Sequence, residues 1–379
     1  MRSFVAFGLG LLIALACRDA GDAPAAVQRD SAGIDIIENP DPETADSSTW
    51  VVDTVPFLVI GSLDGPEEHT FGRMAGFTRL SDGRIAIADA QTNRVSFFDS
   101  TGKFLGRTTG RGSGPAEFVN LNGLLRYPGD SLLVRDHEGG RLTLIDPYGV
   151  HVRRFRPQIL SSRPPFKAGA PSLHGVFADG TLLLLDYRGA SKQCGPEETM
   201  CEERAWFARV NSAGTVVAEL GPLTTERSNL ARRTSGPYVA WAVHGTRFYY
   251  ADASTFEIRV FVGDSLTRIV RAKHEGARLA ADLEGGSAHL GIEVDAVGNL
   301  WVRQHDPEWL RHPATFRSLW FVFDSSGALI HSVRFPPGVY QMRNAFEIGN
   351  DYVLGTGFDS LGVESARMFR LRKAALRNR

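Results

Sequence analysis

The sequence predicts an all-β chain of repeated four-stranded units arranged as a six-bladed β-propeller. Three observations predict it. Short β-favouring runs recur along the chain, bounded by turn residues at hairpin spacing. The 379 residues include 40 glycines and 19 prolines, which suits a turn-rich fold, and 43% are hydrophobic, enough for a substantial core. No helix-period run interrupts the clearest unit, Phe71 to Phe118. Six copies are counted, with five or seven blades as the neighbouring alternatives.

At the N-terminus Arg2 precedes an apolar run from Phe4 to Ala16, then Cys17. The run is too short to span a membrane stably and suits a secretory h-region. Ile13-Ala14-Leu15-Ala16-Cys17 resembles a bacterial lipobox, with a small residue before the cysteine and apolar residues further back; it departs at Ala14, where such motifs more often have Leu. The resemblance implies a lipoprotein signal peptide over residues 1–17 and lipidation of Cys17. Ordinary signal cleavage and an uncleaved anchor are the alternatives. Arg18, not Asp, follows the cysteine, which favours an outer-membrane lipoprotein of the bacterial cell envelope, facing the periplasm or the surface. Residues 18–49 are expected to be a flexible tether and linker, since they are small, polar and charged, apart from a short strand at Gly33 to Glu38. Trp50 to Ile60 reads as one apolar strand ahead of the first copy, and residues 50–379 as the propeller domain.

The first copy has strands near Phe77 to Leu80, Arg84 to Ala88, Arg94 to Asp99 and Phe104 to Arg107, with turns at Asp82-Gly83, Thr92-Asn93 and Ser100 to Gly102. The stretch DGRIAIADAQTNRVSFFDSTGKFLGRTTGRGSGPAEF resembles an NHL repeat, including its Gly-Ser-Gly-Pro-x-Glu-Phe lead into the next unit. The resemblance is strongest over residues 71–149 and implies a six-bladed propeller of the bacterial lipoprotein kind. It describes architecture more than activity.

Later copies keep the strand and turn rhythm: Leu121 to Phe155, Leu173 to Leu220, Val239 to Arg271, Leu290 to Phe335, and a last one ending near Arg372. Their spacing exceeds a minimal blade of ~40–45 residues, which inserted loops absorb. The third copy carries a polar insertion, Arg188 to Arg204, with Cys194 and Cys201. In an oxidising compartment these are expected to form a disulfide that restrains the loop; half of a metal site is the competing reading. The last copy lacks a fourth strand, and Trp50 to Ile60 can supply it, so that no blade edge is left open.

Lys plus Arg number 42 and Asp plus Glu 43, so no global field favours nucleic acid or an anionic membrane surface. Nucleic acid is not an expected partner, membrane contact is through the lipid anchor only, and the chain is expected to be a monomer. Gly110 to Gly114 superficially resembles a phosphate loop, but Pro115 and another strand follow it instead of a helix. It reads as a turn between blades. Asp89, Asp136, Asp186 and Asp252 each end a second strand, a repetition that fits backbone hydrogen bonding.

In a propeller the loops leading into first strands meet those joining second to third strands around one mouth of the channel. The binding candidates there are Arg73, Asn122, His137, His174, Tyr238, His289, His305, Asp306 and Arg343. A mixed Asn, His and Asp ring could hold Ca²⁺, as in propeller lactonases, but the leading loops show no carboxylate for it. No catalytic motif is found. The expected function is therefore a binding or scaffold module for an envelope protein or glycan, without a cofactor. A Ca²⁺-dependent hydrolase or lactonase is the alternative.

Overall fold

The computed structural model describes residues 25–47, 49–136, 140–157, 172–186, 200–221, 223–228, 239–252, 255–273, 289–304, 317–341 and 345–373. Six antiparallel sheets follow one another as blades. Blade one consists of Met74–Arg79, Ile85–Asp89, Arg94–Phe98 and Phe104–Arg107. Blade two consists of Leu121–Arg126, Leu132–Asp136, Arg141–Ile145 and His151–Phe155. Ser172–Val176, Leu182–Asp186, Met200–Val210 and Val216–Glu219 form blade three, and Val239–His244, Arg247–Asp252, Glu257–Val262 and Ser265–Ala272 form blade four. Blade five is His289–Val294, Leu300–Gln304, Leu319–Phe323 and Leu329–Arg334. Blade six is Phe346–Ile348, Tyr352–Phe358 and Glu364–Lys373, along which Trp50–Val52 and Leu58–Ile60 lie antiparallel.

A repeated turn makes these hairpins. Asp99 Oδ1 accepts from the backbone N–H of Thr101 and of Lys103, while the Gly102 N–H donates to the Asp99 carbonyl. The same pattern recurs at Asp146, Asn211, Asp324 and Asp359. The glycine three residues on has positive φ each time, from +80° at Gly362 to +93° at Gly327, a conformation that L side chains rarely adopt.

The core lies between blades. Six clusters of buried side chains each join two neighbours, so every blade is apolar on both faces. Trp301 and Trp320 are buried in the cluster between blades five and six. Leu58 and Ile60 join the cluster between blades six and one, packing with Phe71, Phe98 and Met368.

The N-terminal segment departs from the sequence expectation. Trp50 to Ile60 is two short strands, separated where Thr54 to Pro56 leave the ladder, while the N–H groups of Asp53 and Phe57 still donate to the carbonyls of Arg370 and Met368. Within the expected tether, Val27–Ser31 and Ile34–Asn39 form a hairpin, and Ile34–Asn39 runs parallel to Ser265–Ala272, so blade four becomes a six-stranded sheet. Ile36 and Ile37, 6% and 4% exposed, supply the burial that orders it. Buried Asn39 then locks the hairpin: its Nδ2 donates to the carbonyls of Arg271 and Gly327, both at 3.0 Å, and its Oδ1 accepts from Leu329 N–H at 2.8 Å. One side chain thus ties blade four to blade five. A 3₁₀ turn, Pro42–Thr44, follows, and Ser332 of blade five donates to the Asp46 carbonyl. The segment is a strap across the outer edges of blades four, five and six.

The insertion in blade three also differs from a plain loop. Its last residues belong to Met200–Val210, and Met200 to Ala205 pair with Leu223–Ser228, so the third strand projects beyond the blade as a second ladder. Cys194 lies outside the described residues, as does Cys17.

Asn39→Ala leaves the Leu329 N–H and two carbonyls without their partner, and removal of such a group typically costs about 1–3 kcal/mol. Urea denaturation of the variant is expected to show that loss with a single cooperative transition. An unchanged midpoint would mean that the strap does not couple blades four and five.

Candidate functional site

The first strand of every blade is its innermost, and together they enclose a channel cavity of about 540 Å³. Blades two to four contribute a largely apolar wall that includes Leu124, Leu125, Val176, Trp241 and Val243. Blades five and six contribute Glu293, Arg303, Gln341 and Glu347. Small residues let these strands converge. A Cβ at Gly175 would lie 2.7 Å from Val243 Cγ2, and one at Gly291 would lie 2.4 Å from Gln341 Oε1.

The two channel carboxylates differ in what holds them. Glu347 Oε2 accepts from Thr78 Oγ1 at 2.8 Å and from Arg79 N–H at 3.2 Å, and its Oε1 accepts from the Tyr352 hydroxyl. Thr78 and Arg79 belong to blade one, so this carboxylate is a tie between blades six and one. Burial and the neighbouring Glu347 push the Tyr352 phenol up, and the Arg79 guanidinium lies over its ring, 4.6 Å from the centroid. Glu293 has one fixed partner, Gln341, whose Nε2 donates to Oε1 at 2.8 Å; no hydrogen bond reaches Oε2 among the described residues. Burial pushes its carboxyl up to about 7, and Glu347 adds to the rise, while Gln341 and the Arg303 charge oppose it. Arg303, on the adjoining strand in register with Gly291, is pushed down to about 10 by its own burial.

Of the candidates named from sequence, His174 lines the cavity, with its ring perpendicular to that of Trp241 and the two centroids 4.8 Å apart. Asn122 serves Arg135, whose Nε donates to its Oδ1 at 2.9 Å and whose Nη1 reaches the Leu173 carbonyl of blade three at 3.1 Å. Arg73 is exposed, and its backbone N–H donates to Asp89. His289 opens the first strand of blade five, paired with Gln304. His137, Tyr238, His305, Asp306 and Arg343 lie outside the described residues. The sequence reading looked for channel carboxylates in the leading loops and found none; Glu293 and Glu347 stand in the channel from within first strands. Their signal was a single acid within each of two short strands, His289–Val294 and Phe346–Ile348.

Of the repeated aspartates, Asp89 and Asp136 are structural as expected; the side chains of Asp186 and Asp252 lie outside what the structure describes. Asp89 Oδ1 accepts from the N–H of Arg73 and of Gln91, and Asp136 accepts from Val119 and Asn120 and pairs with Arg141. They pin the leading loops to the second strands. Residues 110–118 form a turn between blades one and two, with Gly110–Arg111 parallel to Glu117–Phe118. Its Gly114 N–H donates to Glu117 Oε2 at 2.7 Å, which places a carboxylate where a phosphate loop would need an anion. Among the described residues no three His, Cys, Asp or Glu side chains gather as a metal site.

Residues 62–125, the first blade and its flanks, match the DUF5128 family model, described as a 6-bladed beta-propeller. The chain is a six-bladed β-propeller. Solved structures agree on this arrangement. A protein of Bacteroides fragilis NCTC 9343 described as exported superposes with a TM-score of 0.52 and 14% identity over 89% of this chain and 99% of that one. A DUF4221 family member from Bacteroides vulgatus superposes with a TM-score of 0.50 and 13% identity over 87% and 100%. A gluconolactonase of Xanthomonas campestris gives 0.45 and 16% over 86% and 96%, too distant for its chemistry to bear on this chain. No curated protein matches the sequence.

The elevated Glu293 carboxyl makes stability depend on pH. The folded chain holds this proton up to about 7, against an ordinary value of 4.5, so the contribution is complete below 4.5 and is lost as pH rises to about 7. Glu293→Gln is expected to remove this slope, so that its stability relative to the parent rises across the same interval in urea titrations. Parallel pH profiles for the two proteins would show that Glu293 titrates normally.

Proposed function

We propose that the chain is an exported, lipid-anchored propeller of the bacterial cell envelope that acts as a binding module through its central channel. The observation that carries this reading is the cavity: about 540 Å³, inside the range of roughly 300–1,000 Å³ usual for ligand sites, with an apolar wall and a few fixed polar groups. Rigid blades hold those groups in place, which lowers the cost of ordering a site on binding. Export and lipidation rest on the N-terminal apolar run and the lipobox-like segment ending at Cys17. Export, though not lipidation, is also supported by the description of the Bacteroides fragilis neighbour as an exported protein.

One observation favours the hydrolase alternative, namely two carboxylates from adjacent blades in the channel. The donor set does not fit a divalent cation. Both oxygens of Glu347 already accept hydrogen bonds, and Glu293 is neighboured by the Arg303 charge.

A fragment starting after Cys17 is expected to melt at the same temperature with excess Ca²⁺ and with chelator. A reversible rise with Ca²⁺ would favour the metal enzyme, since a ligand of the folded state must raise stability. For the binding reading, a photo-crosslinking residue at Val176 in the channel wall is expected to yield an adduct in cells that is absent when it stands at Val217, which is 52% exposed on the outer strand of blade three. Equal labelling from both positions would sink it. Cys17→Ala is expected to move the protein from the membrane to the soluble fraction; unchanged partitioning would count against lipidation.

A further inference from the structure

Hydrogen-bonding capacity in the channel is concentrated at one place. Glu347 has both oxygens occupied, and Arg126, at the rim, is paired with Asp130. Glu293 and Gln341, by contrast, use one bond between them, so Oε2 of Glu293, the second N–H of Gln341 and the Gln341 carbonyl have no other hydrogen bond among the described residues. Acceptors and a donor therefore stand side by side on the wall formed by blades five and six. The wall from blades two to four carries Trp241 and aliphatic side chains.

Among the described residues, the charged side chains that line the cavity are Glu293 and Glu347 against Arg126 and Arg303. Such a lining creates no net field for an anion or a cation. Adjacent donors and acceptors match hydroxyl groups, each of which both donates and accepts. An aromatic and aliphatic wall matches the C–H face of a sugar ring, and the volume bounds the ligand to small-molecule size.

We propose that the channel takes a neutral sugar or similar cyclic polyol, its vicinal hydroxyls on Glu293 and Gln341 and its apolar face toward Trp241. This rests on the channel-binding reading and specifies the ligand class for that site. Glu293 Oε2 accepts from one hydroxyl, and the Gln341 amide donates to its neighbour. Glu293→Gln keeps the size of the side chain but replaces a carboxylate acceptor by an amide, and Ala242→Phe fills the cavity from blade four.

The test is calorimetric titration of the protein with glucose, N-acetylglucosamine and maltose, using ethanolamine and inorganic phosphate as charged probes. At least one sugar is expected to bind with one-to-one stoichiometry, and both variants are expected to weaken it about tenfold or more. Gln341→Ala, in a loop, serves if either variant fails to fold. No binding by any sugar overturns the proposal, as does sugar binding that survives the substitutions. Binding of ethanolamine or phosphate alone, lost in Ala242→Phe, also overturns the polyol assignment but leaves the channel as a site. Val176 crosslinks that do not differ from those at Val217 would instead remove the channel reading itself.

Discussion

Each blade of this protein is apolar on both faces, and that constraint governs the rest of the structure. A sheet of this kind is stable only between two like neighbours, so the chain has to return to its beginning. The six inter-blade clusters form a continuous series, and in the one between blades six and one Leu58 and Ile60 pack with side chains that lie more than 300 residues further on. Polar ties follow the same logic. Glu347 holds Thr78 across that interface, Arg135 holds the Leu173 carbonyl, and Asn39 spans blades four and five.

Much of this was legible because the turn chemistry is local. An Asp or Asn whose side-chain oxygen caps two N–H groups, followed by a glycine at positive φ, marks a hairpin without reference to the rest of the fold, and four such turns, at Asp99, Asp146, Asn211 and Asp324, close the third strands of their blades. The strap was legible only in part, for the opposite reason: the short strand expected at Gly33 to Glu38 is present as Ile34–Asn39, but its hairpin partner and its place on blade four were not read. Val27–Ser31 is wholly exposed and polar, and the edge that orders Ile34–Asn39 belongs to a strand more than 230 residues away. Composition alone assigns such a segment to a tether.

The candidate site was read only in part. Attention to loops found His174 but passed over Glu293 and Glu347, because a lone acid in a β-strand usually marks a solvent-facing position. In a propeller the innermost strand has a third possibility, the channel, where a carboxylate is enclosed without being packed. The same geometry separates the two acids: Glu347 is within reach of blade one and becomes a structural tie, whereas Glu293 bonds only Gln341, in the segment leading to blade six, and keeps an oxygen open among the described residues.

The strap also sets an order in time. Residues 27–60 leave the ribosome before any blade, yet the edges they pair with, at Ser265–Ala272 and Glu364–Lys373, are made more than 200 residues later. Their strands cannot be satisfied locally, and such long-range pairing is slow. The strap is therefore made long before it can be set in place, and until it docks the outer edges of blades four and six stay open, a vulnerability that belongs to biosynthesis and is invisible in the finished molecule.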